Sequence, residues 1–435
     1  MALTAINSRV PGNVLTISPS AVATAGILLA LVFVFQIGSF SALAFLAFGM
    51  LLVILRPGAI LDETARFGWI YLLPIWCVLT MFWSNYPSLS LRYGVQLGLT
   101  AVFAVTIATR LSPAVLVRLL WLTFAAAAVA SVLFGQVRGD GLGWLGIYGS
   151  KNAFAMAMST FVLVSFAFML DRRAGRIWRL FGLGGAALGF ALVVLAQSTG
   201  ALAATVLALC CGVVVSQMRR FSPYQRLVLA LIGLLALVAV TIVVNSAQDQ
   251  IEDFILTTTG KDTTLTGRTD LWTIALEEWA KHPVLGQGYQ AFWVVGNPMA
   301  EQLWDDFGIA TKIGFNFHNT WLSNVVEIGF VGIALQLAVF GTAVVLCLRW
   351  AIWHPCAESL FFMMFILRQA SLSMLEVVAF SQFDMASLLA ICAAVYGLRA
   401  RTTARDNSGA AVTRGVIPDG GAEARQDTGM ASRQA

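Results

Sequence analysis

Apolar runs long enough to cross a bilayer recur through almost the whole of this 435-residue chain, and they leave few folds open to it. About 20 apolar residues in a helix cover the roughly 30 Å of a hydrocarbon core. Runs of this kind begin at residue 21 and end near residue 398, and about twelve are countable, bounded to within several residues. Lipid offers no partner for an exposed N–H or C=O, so the runs are read as helices. Only 11% of the residues are charged, against about 25% in a soluble domain. The expected fold is all-α: a polytopic membrane protein with about 12 transmembrane helices and one long outer loop carrying amphipathic helices. Residues 1–20 form a cytoplasmic segment, 21–401 the membrane domain, and 402–435 a Gly-, Ala- and polar-rich tail expected to lack structure and lie in the cytoplasm. The first apolar run lacks a clear cleavage site, so it is read as a retained span.

The net charge of +5 comes with no basic stripe interleaved with aromatics, and a nucleic-acid partner is not expected. Arginines instead fill alternate short loops: Arg56 and Arg66, Arg110 and Arg118, Arg172 to Arg179, Arg219 to Arg226, and Arg349. Basic residues are retained on the cytoplasmic side, which puts both termini inside. The other side holds all four lysines, Lys151, Lys261, Lys281 and Lys312, with Arg92, Arg138 and Arg268. Either these meet something anionic or they snorkel to lipid phosphates. The six cysteines, Cys77, Cys210, Cys211, Cys347, Cys356 and Cys392, show neither metal spacing nor a disulfide framework.

Residues from about 246 to 317 make one long outer loop, and a loop of that length is usually functional. Within it, Leu271, Trp272, Ala275, Leu276 and Trp279 fall on one helical face, and Asp270, Thr273, Glu277 and Lys281 on the other. The pattern predicts an amphipathic helix lying on the outer interface with its tryptophans inward. "WDDF" (Trp304 to Phe307) is too weak a signal for a metal site, and neither a metal nor another cofactor is expected. "FNFHNTWLSNVVEIGFVG" (Phe315 to Gly332) then sets His318, one of three histidines, where a long helix starts. A helix N-terminus offers free N–H groups and positive potential to a phosphate. A histidine there can act as a general base, or His318 and Asn319 can simply cap the helix.

The stretch is not alone. His318-Asn319, nine residues and then Gly329 and Gly332 form one motif, and "LTGRTDLW" with "HPVLGQG" a second, upstream. "YGSKNAFA" (Tyr148 to Ala155) and "FWSNYPSLSLRYG" (Phe82 to Gly94) precede them. Together, over roughly residues 70 to 335, they resemble the O-antigen ligase and polymerase superfamily, most closely its exopolysaccharide-production branch. Trp272 stands where the ligase pattern has a leucine four residues after the loop arginine, which leans toward the polymerase branch.

The resemblance implies a metal-independent, inverting glycosyltransferase on the periplasmic face of a bacterial inner membrane. Its donor would be a polyprenyl-diphosphate-linked oligosaccharide. Its acceptor would be a sugar hydroxyl on another lipid-linked repeat unit, or lipid A-core for a ligase. A chain-length regulator and a flippase of the same pathway are candidate partners. The expected catalytic residues are His318 as base and Arg268 at the leaving diphosphate, because a guanidinium presents a planar fork to phosphate. Asn319, Arg92, Lys151, Asn152, Lys281 and Lys312 are expected to bind substrate. A transporter is the rival class, resting on Glu358, Arg368 and Glu376 within the run 358–380, which an ion pair inside the bundle would equally explain.

Overall fold

The computed structural model describes residues 18–139, 141, 143–229, 266–312 and 314–414. Most of the described residues are helical, and among them the only sheet is a two-stranded antiparallel pair, β1 (Gln136–Val137) and β2 (Trp144–Gly146). The helices that matter below are α1 (Pro19–Val32), α2 (Ser39–Ile54), α3 (Leu72–Leu79), α4 (Pro87–Arg110), α5 (Pro113–Phe134) and α6 (Lys151–Leu170). They continue with α7 (Arg176–Leu195), α8 (Thr199–Gln217), α9 (Thr266–Lys281), α10 (Pro298–Asp306), α11 (Thr320–Trp353), α12 (Ala357–Leu372) and α13 (Met385–Arg414).

Among the described residues, six helices are long and apolar enough to cross a membrane: α4 to α8 and α11. A seventh is reached if α2 and the segment Pro57–Arg66, bent by 84°, count as one span. The expected figure of about twelve came from apolar runs alone, and several runs do not fold as single long helices. The run 67–83 is a 15-residue stretch with 3-10 turns at both ends of α3. The run 358–380 stops being helical at Leu372, and 226–245 lies mostly outside the described residues. α13 continues to Arg414, into the tail from Thr402 that was expected to lack structure.

The outer helices show large apolar side chains to their surroundings, among them Phe134, Leu180 and Leu183, as lipid rather than water allows. Inside, close approach is made by small residues. Gly182, Gly185 and Gly189 form one stripe of α7, and a Cβ on Gly182 would lie 2.6 Å from the Ser165 carbonyl of α6. That is the small-residue packing by which helices associate in lipid. α6 is accordingly central, with two thirds of its apolar window buried.

α9 has the amphipathic pattern expected, but its apolar face is not left for lipid. Leu271 and Ala275 are buried with Phe292, Leu303, Trp304, Phe317 and Val326 in a cluster joining α9, α10 and the start of α11. Leu276 is exposed, and the Trp272 indole is turned to donate to the Phe317 carbonyl (2.9 Å). The segment that holds α9 and α10 is therefore a small packed layer seated on α11, and it is this layer that sets the position of His318.

Candidate active site

The two glycine-bearing motifs form one local structure. α11 is broken at Gly329, whose φ of +64° and ψ of −172° interrupt the helix. A break leaves carbonyls and amides without intrahelical partners, and buried backbone groups must find others. The "HPVLGQG" segment supplies them. Gln287 and Gly288 donate to the Val326 and Glu327 carbonyls (2.9 and 2.8 Å), and Phe330 and Val331 donate to Pro283 and Val284 (3.0 and 3.3 Å). Contact this close excludes side chains: a Cβ on Gly329 would lie 2.3 Å from the Val284 carbonyl, and one on Gly286 2.4 Å from that of Glu327. The "FWSNYP" segment closes the same junction, for the Trp83 indole donates to the Gly286 carbonyl (3.1 Å) and Trp76 to that of Ile328 (2.9 Å). The motif spacing thus encodes a splinted helix break that fixes α11 against the segment after α9.

At the N-terminus of α11, Asn319 is the cap. Its Oδ1 accepts from the N–H groups of Trp321 and Leu322 (2.9 and 3.1 Å). The Thr320 N–H donates to the Ser373 carbonyl (2.8 Å) and that of Ser323 to Asn319 (2.9 Å). The first-turn amides are therefore all engaged, and the expectation that they present free donors to a phosphate is corrected by this geometry.

What lies over the helix start instead is the segment after α12. Asn319 donates to the Met374 carbonyl (3.3 Å), Thr320 Oγ1 to that of Glu376 (2.7 Å), and the Val378 N–H donates to Thr320 Oγ1 (3.1 Å). These bonds deliver the Glu376 carboxylate to three motif residues. Oε2 meets His318 Nδ1 at 3.1 Å, and Oε1 accepts from Arg268 Nη2 at 3.0 Å and from Asn152 Nδ2 at 3.1 Å. Arg268 Nη1 donates to the neighbouring Leu375 carbonyl (2.8 Å), and Ser198 Oγ holds Asn152 by its Oδ1 (3.0 Å). Glu376 and Arg368 share no ion pair, so the bundle ion pair weighed for them is not formed.

The cluster is partly open: the side chains of Arg268, His318 and Glu376 are 31, 26 and 18% exposed. His318 has a positive φ of 48°, uncommon for a residue with a Cβ though less so for His than for most. Its N–H donates to Asn316 Oδ1 (2.8 Å), and the carbonyl before it takes the Trp272 indole. With Nδ1 turned to a carboxylate, the tautomer favoured is Nδ1–H, which leaves the Nε2 lone pair outward.

Of the expected site residues, the structure brings together Arg268, His318, Asn152 and, beneath them, Asn319. Lys151, half-buried, begins α6 beside Asn152. Lys281 stands at the far end of α9 from Arg268, about 20 Å along the axis, paired with Glu278. Lys312 pairs with Glu301 (3.7 Å) and stands over Trp304. Arg92 is exposed on α4 over the Tyr93 ring. Glu376, read from the sequence only as a charge within an apolar run, is the cluster member whose place at the site sequence reasoning missed. Neither Pro nor Gly marks the end of α12, and "SMLEVVAF" reads as a continuing apolar run.

Residues 183–337 match a family model described as O-antigen ligase, a stretch that holds Arg268 and His318. The exopolysaccharide production protein ExoQ of Rhizobium meliloti (strain 1021) is 34% identical over 315 residues, 71% of each chain. A chain of the solved structure described as "Structural coordination of polymerization and crosslinking by a peptidoglycan synthase complex" aligns with 80% of this chain and 97% of its own, at 16% identity and a TM-score of 0.36.

Proposed function

The chain belongs to the O-antigen ligase family, and from that premise we propose that it is a polysaccharide polymerase of the periplasmic face of a bacterial inner membrane. It takes an oligosaccharide from a polyprenyl-diphosphate carrier and joins it to a sugar hydroxyl of another lipid-linked repeat unit. The observation that carries this reading is the Glu376 carboxylate bridging His318 and Arg268.

The acceptor oxygen attacks the anomeric carbon, and the bond from that carbon to the diphosphate oxygen breaks with its electron pair leaving on the diphosphate. One displacement inverts the anomeric centre. The hydroxyl proton passes to His318 Nε2, and Glu376 faces the imidazolium that forms, as a carboxylate does in hydrolase triads. Negative charge grows on the leaving oxygen. Among the described residues two N–H groups of Arg268 are engaged, one from each Nη, which leaves others to meet that charge. In this reading the guanidinium does the work that a metal does in other glycosyltransferases. Lys151 and Asn152 lie on the side of the cluster formed by α6 and serve the donor. Arg92, Lys281 and Lys312 act farther out, on the glycan or on lipid headgroups.

Purified protein given a polyprenyl-diphosphate-linked repeat unit should yield lipid-linked dimers and longer chains, undiminished by chelators. Transfer only to added lipid A-core would make it a ligase, and movement of intact substrate without conversion would make it a carrier.

A further inference from the structure

A cavity of about 330 Å³ lies directly behind the Glu376 cluster. Val377 and Val378, the residues after Glu376, line it, as does Ala153, the residue after Asn152. Its walls are otherwise mostly apolar, with Leu31, Phe35 and Phe124 among them, and its volume is that of a small-ligand pocket.

Arg368 also lines this cavity and is 2% exposed. Its Nη1 donates to the Met156 carbonyl and to Thr160 Oγ1 (both 3.0 Å), and Nη2 to Gln369 Oε1 (3.0 Å). Its Nε–H, fully buried, has no acceptor, and among the described residues no carboxylate pairs with it. The one acid among the residues that line the cavity, Asp384, is engaged elsewhere: its Oδ2 accepts from the N–H and Oγ–H of Ser387 (2.8 and 2.9 Å), capping α13. A buried guanidinium facing only neutral groups is costly, as is an orphaned buried donor. A charge in the membrane layer that borders a cavity marks a ligand site by default.

We propose that this cavity binds the phosphate end of an isoprenoid-type lipid, with Arg368 on the phosphate and the apolar walls on the first units of the chain. It is a second carrier site, distinct from the diphosphate position at Arg268. The inference rests on the polymerase reading, in which donor and acceptor both carry a lipid diphosphate and two such positions are needed at once.

Binding stoichiometry tests it. A short polyprenyl diphosphate without glycan, which cannot turn over, is titrated into detergent-purified protein and read by native mass spectrometry. Two molecules should bind the wild type, one Arg368→Gln and one Arg268→Ala. Ala157→Phe narrows the cavity while keeping the Arg368 side chain, and it should also reduce two to one; it carries the test if Arg368→Gln does not fold. Inorganic pyrophosphate should not occupy the second position. Two molecules bound by either cavity variant overturn the proposal, as does a wild type that binds one, or a second position filled equally by pyrophosphate. If a single molecule binds while glycan-linked substrate is still elongated, the cavity site is wrong and the proposed reaction stands. If neither binding nor elongation occurs, the reaction itself fails, and the cavity site with it.

Discussion

At the scale of residues, the Glu376 carboxylate joins Arg268 and His318, and the proposed reaction makes it the orienting partner of a base. Glu376→Gln keeps the shape but replaces charge with a neutral amide, whose N–H can face Nδ1 and favour the wrong tautomer. The loss of an orienting carboxylate in a triad costs about 10⁴ in turnover, and 10²- to 10⁴-fold is expected here in kcat with little change in KM. An equal rise in KM with kcat preserved would make Glu376 a structural tie only. His318→Asn retains a polar group but cannot accept the proton, and elongation by purified protein should fall by about 10²- to 10⁴-fold. Rates near wild type would return His318 to the neighbourhood of the helix cap, where Asn319 already does that work. Arg268→Lys puts a point charge where a fork donates to both Leu375 and Glu376. It should cost on the order of 30- to 1000-fold, about 2–4 kcal/mol, and full activity would show that charge alone suffices there. His318, Arg268 and Asn152 were legible because each sits in a motif. Glu376 was not, because its role depends on a loop that only tertiary bonds from Thr320 and Asn319 create.

At the scale of elements, the splinted break in α11 makes a sharp distinction between two glycines of one helix. Gly329→Ala forces a Cβ into a positive φ and against the Val284 carbonyl, whereas a Cβ on Gly341 meets nothing within 4 Å. An alanine where φ is positive destabilises by more than about 1 kcal/mol. In an open helix interior it gains roughly as much, since alanine is the better helix former. Gly329→Ala should therefore lower the thermal midpoint in detergent and the yield of folded protein, while Gly341→Ala leaves both unchanged or raised. Equal effects would mean that the break is not a fixed feature of α11. Apolar length and period made the long helices α4 to α8 readable from the chain. The end of α12 and the folding of α9 onto α11 were not, since lipid-facing and protein-facing apolar residues look alike in a sequence.

For the whole molecule, α11 runs from the packed layer of α9 and α10 to the turn at His354, which the proposed topology puts on the arginine-rich, cytoplasmic side. Its 34 residues would reach about 51 Å if straight, more than a hydrocarbon core. Single cysteines at exposed Asp306 and exposed His354 should then react differently with a membrane-impermeant thiol reagent. Above the wild-type background, Asp306→Cys should label once the outer membrane is permeable, and His354→Cys only after the inner membrane is opened. Labelling of both from one side would remove the cluster from a periplasmic substrate. The four cluster residues come from segments far apart in the chain, with Asn152 and Glu376 separated by 224 positions. Membrane helices enter the bilayer in order as the chain is made, so a ribosome that has already delivered Arg268 and His318 has still not delivered the carboxylate that holds them together. On the proposed reaction a nascent chain stays inert until α12 and the segment after it have followed α11 into place, and truncation anywhere before residue 376 should leave an inserted but silent protein.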